Sequence, residues 1–265
     1  MKSITSVHNS FIREIQNLQS KSKLRKQHGH FVCEGLNEIR LCYLSGFEIE
    51  KLVFCEDLIA KEALVQNTGI GDKDTEWIVV NRDVFSKIAY REDVENAIAI
   101  VKIKEINLDA LKWSDHALFL VAEKVEKPGN IGALLRSADA AGVTAVLLAD
   151  PICDIYNPNV IRSSVGSVFT VPIVSATTEE IQLFLAKNKV SVFTTFMENA
   201  TSAWDSNLTE ACAIVLGTEH SGLTSQWKKP EYQNINYSMF GKVDSLNISI
   251  AAALLIFEAV RQRRS

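Results

Sequence analysis

From Ala117 onward, short apolar runs alternate with helix-patterned stretches, and this alternation restricts the fold more than any other feature of the chain. ALFLVAEKV (117–125), VTAVLLA (143–149), VFTVPIV (168–174), VSVFTTF (190–196), ACAIVLG (211–217) and INYSM (235–239) read as strands. Helical patterns fall near 130–141, 158–166 and 178–188, with a last one at 245–262. A parallel pair of strands needs a long crossover, and a crossover helix covers the sheet it bridges. The expected fold class is therefore α/β, a mostly parallel sheet with helices on both faces.

A smaller unit precedes this one. FVCEGLNEIRLCYLSG (31–46) carries Leu36, Ile39, Leu41 and Leu44 near helical spacing and stops at Gly46. KLVFC (51–55), EWIVV (76–80) and AIAIVKI (97–103) are strand-like, and the polar KEINLDALKWSD (104–115) reads as a linker. Two domains are expected, 1–105 and 106–265, each long enough to bury a core.

Charge decides which unit can meet a polyanion. The formal net charge of -4 argues against a generic polybasic binder, but residues 1–30 hold six basic residues against the single acid Glu14. That segment is at +5, which leaves -9 for the rest. A basic leading segment is either a phosphate-facing surface or a solvated helix face. The five cysteines form no CxxC pair and stand near no histidine cluster, so neither a zinc site nor a disulfide framework is expected. MKSITSVHNSFIREI lacks a signal peptide's apolar core, and IAAALLIF (250–257) is far shorter than the roughly 20 residues that span a bilayer. A soluble cytoplasmic protein with no membrane association is the expectation.

Three segments follow apolar strands and place small or polar residues where the carboxyl ends of a sheet form a ligand crevice. In EKPGNIGALLRSADAAG (126–142), Pro128 and Gly129 break the strand, Asn130 is suited to cap the next helix, and Gly132 permits close backbone approach. Arg136 stands six residues beyond Asn130. LGTEHSGL (216–223) is a glycine-rich turn with Glu219 and His220 at its centre, but Leu223 and Thr224 occupy the positions where a P-loop has its lysine and hydroxyl residue. No GxGxxG follows any strand, and a lone loop histidine does not define a general base. In SMFGKVDSLNISIAAALLIFEAVRQRR (238–264), Ser245 is suited to cap a largely apolar, buried helix. Its first turn also holds Asn247 and Ser249, polar groups that need partners once buried. The residues describe a glycine-lined, nucleotide-sized crevice of neither Walker nor Rossmann type and name no reaction.

Taken in order, NIGALLRSADAAG, LGTEHSGL and SLNISIAAALLIFEAVRQR resemble the three signature motifs of the SpoU (TrmH) family of SPOUT-superfamily RNA ribose 2'-O-methyltransferases, over about 108–265. The leading ITSVHNSFIREIQNLQSKSKLRKQHGHFVCEG is similar to the substrate-binding domain many members carry, itself like kink-turn-binding ribosomal proteins. The resemblance implies S-adenosylmethionine as cofactor, a deep trefoil knot, a homodimer formed through the C-terminal domain, and RNA as partner, ribosomal RNA favoured. Transfer RNA, or a non-catalytic assembly role on the same fold, are the alternatives. No metal is implied.

Carried over by motif, the catalytic set is Asn130, Arg136, Glu219, Ser245 and Asn247. Cofactor contacts are implied for Thr195, Leu216, Gly217, Gly222, Tyr237, Met239 and Leu246, largely through backbone groups. Tyr237-Ser238-Met239 stands where the family tends to have Ile-Pro-Met, and Thr218 where it often has Asn, Ser or Ala, which predicts a reshaped adenine pocket. The family's arginine has been viewed as activating the ribose hydroxyl. A guanidinium with a pKa above about 12 is a poor proton acceptor, so Arg136 is better read as a bidentate clamp on the substrate phosphate. Arg13, Lys21, Lys23, Arg25 and Lys26 of the leading segment, and Arg162 on the polar helix NPNVIRSSVG (157–166), complete the expected RNA contacts.

Overall fold

The computed structural model describes residues 1–71, 75–90, 97–218 and 221–264. They form two compact units, one of Met1–Lys104 with Asp154–Thr170 and one of Glu105–Cys153 with Val171–Ser265. The chain thus departs from a single cut near residue 105: a stretch between two strands of the second unit packs with the first.

The first unit is a five-stranded mixed sheet with helices. Its strands are β1 (Lys2–Ile4), β2 (His30–Glu34), β3 (Ile49–Phe54), β4 (Glu76–Val80) and β5 (Ala97–Lys102), in the order β1-β4-β3-β5-β2. Helices α1 (Ser10–Ser20), α2 (Ser22–His28), α3 (Leu36–Leu44), α4 (Lys61–Thr68) and α5 (Arg82–Ile88) join them. Asn9 starts α1 by accepting from the Phe11 amide, and Ile12, Ile15 and Leu18 recur at helical spacing on its buried side. They meet Val32, Val53, Ile78 and Ile100 in one core. Burial on this scale, not propensity, holds a helix this short.

Past the linker the chain runs through β6 (Leu118–Glu123), α6 (Pro128–Ala141) and β7 (Ala145–Ala149). It then contributes α7 (Pro158–Ser164) and α8 (Ser167–Thr170) to the first unit and returns with β8 (Ile173–Ala176), α9 (Thr178–Lys187), β9 (Ser191–Thr194), β10 (Thr201–Ser202), β11 (Cys212–Leu216), β12 (Gln233–Asn236) and α10 (Ile248–Arg263). The seven strands form one sheet in the order β10-β12-β9-β11-β6-β7-β8, every pairing parallel. β6, β7 and β11 are buried along their whole length, as expected for a sheet covered on both faces.

Several boundaries differ from expectation, among them the strand read at 235–239, which spans Gln233–Asn236 instead. The run 168–174 is not one strand: α8 takes its first part, Pro172 stops the turn, and only Ile173–Ala176 pairs with β7. A short apolar run is equally compatible with a buried helical turn, and periodicity cannot separate the two. The helix expected to be open and polar at 157–166 is mostly enclosed. Ser164 is buried, and a Cβ on Gly166 would lie 2.6 Å from Leu41, so Arg162 and Asn159 are the exposed side chains of α7.

The Asp154–Thr170 stretch is held by aromatic packing and one enclosed ion pair. Tyr156 stacks on Phe31 with centroids 4.3 Å apart, Phe169 lies 5.9 Å from the same ring, and the Tyr156 hydroxyl donates to the Lys104 carbonyl at 2.6 Å. Arg25 is buried: its Nε binds Asp154 Oδ2 at 2.6 Å, and Nη1 donates to the Leu18 carbonyl at 2.6 Å. This corrects the reading of Arg25 as an RNA contact, because its donors are spent inside the protein. Arg13, Lys21, Lys23 and Lys26 remain exposed.

Candidate active site at the carboxyl edge of the parallel sheet

In a parallel sheet all carboxyl ends lie along one edge, so sheet order decides which loops become neighbours. β12, β9, β11 and β6 are consecutive, and their registers align Asn234 with Thr194, Thr194 with Val215, and Leu216 with Ala122. The segments after these strands carry Tyr237, Thr195, Gly217 and Asn130. Residues scattered over more than a hundred positions are thereby gathered at one edge by topology alone.

The first and third motifs touch directly. Asn247 Nδ2 donates to Asn130 Oδ1 at 3.2 Å, across the openings of α10 and α6. Asn247, not Ser245, caps α10: its Oδ1 accepts from the Ser249 amide at 3.0 Å and the Ser249 hydroxyl at 2.6 Å. Nor does Asn130 cap α6. The helix begins at Pro128 behind Lys127, which makes no side-chain cap, so Asn130 lies inside the first turn and its side chain is left to reach Asn247. Two helix openings, each with a partial positive charge, thus meet at one asparagine pair. Arg136 is exposed six residues further along α6. Six residues rotate a helix by about 240° beyond one full turn, so Arg136 does not share the Asn130 face.

The second motif closes on itself. Thr218 and Gly222 form an antiparallel bridge, with Thr218 N to Gly222 O at 3.2 Å and Gly222 N to Thr218 O at 3.0 Å. The Thr218 hydroxyl takes the Ser221 amide at 3.1 Å and lies 2.7 Å from the Ser221 hydroxyl. The departure at 218 is therefore used to clasp the loop. A Cβ on Gly217 would stand 2.1 Å from the Gly222 carbonyl carbon, and Gly222 has φ +65°, so both positions demand glycine. Glu219 and His220 lie outside the described residues.

Among the other implied cofactor contacts, Leu216 ends β11 and is buried, while Met239 and Leu246 are half-buried. Thr195 directs both its amide and its hydroxyl to the Val215 carbonyl, at 3.2 and 3.1 Å. The Tyr237 side chain turns along α10: its hydroxyl donates to the Leu254 carbonyl at 3.2 Å, and its ring lies 4.8 Å from Trp204. Burial, with Glu258 nearby, pushes its phenol up to about 12, so it stays a donor at any working pH. Ser245 is exposed.

One residue of the site was not anticipated. Glu123, buried at the end of β6, accepts from the Thr224 amide at 2.8 Å and the Thr224 hydroxyl at 2.6 Å, which ties the end of the glycine loop to the strand that leads into the first motif. Thr178 approaches the same carboxylate at 3.5 Å and donates to Asp150 at 2.8 Å. The signal was present in LFLVAE, since a carboxylate closing an otherwise apolar strand is costly to bury without dedicated partners. Among the described residues no group of three His, Cys, Asp or Glu side chains is placed to share a metal ion.

Comparison with known proteins gives this edge a context. The model of the SpoU rRNA Methylase family matches residues 117–257, and that of the MRM3-like substrate binding domain matches residues 9–99. The 23S rRNA (guanosine(2553)-2'-O)-methyltransferase RlmP of Bacillus subtilis is 28% identical over 97% of this chain and 98% of its own. A crystal structure of an RNA 2'-O ribose methyltransferase superposes with a TM-score of 0.85 at 35% identity, covering 99% of this chain and 100% of the other. The SpoU methyltransferase AviRb of Streptomyces viridochromogenes, crystallised with AdoMet, gives 0.89 at 26% identity, over 97% of this chain and 99% of its own.

Proposed function

The chain belongs to the SpoU rRNA methylase family, and from that premise we propose that it is an S-adenosylmethionine-dependent 2'-O-methyltransferase of ribosomal RNA. The observation that carries this reading is the meeting of the three motif segments at the ends of four consecutive strands, with Asn247 bonded to Asn130.

The residues fit the cofactor. The self-clasped loop at Gly217–Gly222 has no side chain at its tightest point, and the Tyr237 side chain is engaged by α10, which leaves backbone groups to line the pocket. Thr195, Leu216, Gly217, Gly222, Tyr237, Met239 and Leu246 hold the nucleoside in this reading. When bound, S-adenosylmethionine supplies an electrophilic methyl group. The protein must then align a ribose hydroxyl in line with it and let the hydroxyl proton leave. Asn130 and Asn247 fix the two helix openings. Ser245 and Glu219 order the acceptor, and the exposed Arg136 grips the substrate phosphate with its planar fork. The phosphate or another polar group takes the proton.

In the same reading, residues 1–105 deliver the RNA and 106–265 carry the transfer, with Asp154–Thr170 working in the RNA-handling unit. Arg13, Lys21, Lys23, Lys26 and Arg162 are the exposed cations assigned to RNA in this reading, so RNA affinity falls steeply with salt. The C-terminal unit pairs with a second copy. Ile250, Leu254 and Phe257 are 52%, 44% and 46% exposed along one side of α10, opposite the buried Ala252, Leu255, Ile256 and Ala259. In this reading the C-terminal chain is threaded into a trefoil knot. No described helix is long and apolar enough to cross a membrane, and the setting proposed is the cytoplasm.

The test is ribose-methylation mapping of all stable RNAs in a deletion strain. One ribosomal position should lose its mark and regain it with the wild-type chain but not with Arg136→Ala. A map with no lost ribose mark overturns the reading. Arg136→Lys keeps the charge and removes the fork, so near-normal turnover in that variant overturns the clamp.

A further inference from the structure

Phe240 is 99% exposed, and among the described residues no other large apolar side chain exceeds 75%. It lies in the connection from β12 to α10, which begins beside Tyr237 and ends at Asn247, the residue bonded to Asn130. Its surroundings in the chain are small or polar: Ser238, Gly241, Lys242, Asp244 and Ser245 are all exposed, and a Cβ on Gly241 would meet nothing within 4 Å. Val243, 63% exposed, is the other outward apolar side chain of this stretch.

A protein interface is built on contiguous apolar anchors, which α10 supplies with Ile250, Leu254 and Phe257. Phe240 is a single flat ring among glycine, serines and a lysine. That pattern suits a nucleobase, whose π-face stacks on an aromatic side chain while a nearby cation meets the backbone phosphate. We propose that Phe240 stacks on a nucleobase next to the ribose being methylated, with Lys242 against the adjoining phosphate. The proposal rests on the RNA methyltransferase reading above and adds to it a residue that selects and holds the substrate.

Steady-state methylation of ribosomal RNA tests it, alongside calorimetric titration with S-adenosylmethionine and sedimentation. Phe240→Ala should raise KM for RNA about tenfold, with cofactor affinity and sedimentation unchanged. Phe240→Tyr and Phe240→Trp should restore KM, and Phe240→Leu should not. An unchanged KM in Phe240→Ala, or a wild-type KM in Phe240→Leu, overturns stacking. A shift of Phe240→Ala toward a slower-sedimenting species overturns it in favour of a protein interface. A wild-type protein that methylates no RNA overturns the parent reading, a result distinct from an active wild type that Phe240→Ala equals.

Discussion

The guanidinium of Arg25 has exchanged water for Asp154 and the carbonyls of Leu18 and Gln19, so its charge is tolerated only while those partners remain. Asp154→Ala should therefore cost about 3–5 kcal/mol of stability, the usual penalty for orphaning an enclosed charge. Lys26→Ala, one position along the chain, should cost almost none, and denaturant titration separates them. Tyr237 gives the opposite kind of prediction. Its hydroxyl is committed to Leu254, so Tyr237→Phe should lower stability by about 1 kcal/mol and leave S-adenosylmethionine affinity unchanged in a calorimetric titration. At this scale the sequence separates residue types but not their fates. Arg13 and Arg25 look alike in a basic run, and only the arrival of Asp154 from a distant segment distinguishes them. Arg263 is similar: it reaches the carbonyls of His116, Leu208 and Glu210 at 2.7, 2.9 and 2.6 Å, and nothing around it in the chain marks it as an anchor.

Loops and helix ends carry the next set of consequences. Gly217→Ala would drive a methyl group into the backbone of Gly222, so the loop must open and cofactor binding should be lost while the far-UV spectrum is kept. In the last turns of α10, Glu258 takes both Arg261 and Gln262, and the hydrogen bond from Arg261 holds its carboxyl below the usual glutamate value. A carboxyl depressed in the folded state stabilises above its unfolded pKa of about 4.3 and ceases to do so as pH falls through its folded value. The stability advantage of the wild type over Glu258→Gln, measured by thermal melting, should therefore be full at pH 7 and shrink below about pH 4. Strands were legible because their apolar runs are continuous, and EWIVV matches β4 residue for residue. Helix starts were less so. Serine or asparagine before an apolar run is a fair sign of a cap, yet α10 is capped by Asn247 and not Ser245, and Asn130 lies inside α6 and meets Asn247 instead of capping, an arrangement that depends on α6 and α10 being neighbours.

Across the whole molecule, the exposed stripe on α10 is the feature most at odds with a solitary chain. On the pairing proposed above, the wild type should be a dimer by sedimentation equilibrium and Leu254→Glu, which places a charge in the middle of the stripe, a monomer with the fold retained. Alternation of strands and helices was enough to anticipate a parallel sheet. It could not show that the chain leaves that sheet after β7 and comes back at β8, because aromatic stacking on Phe31 is written in no local period.

That excursion has a bearing on inheritance. The boundary between the units is crossed near residues 104, 153 and 170, so the leading unit is not a cassette. Grafting residues 1–104 onto another catalytic chain would strip Arg25 of Asp154 and Phe31 of Tyr156 and Phe169. A lineage that acquires or discards this unit must reshape, in the same steps, a segment embedded in the other.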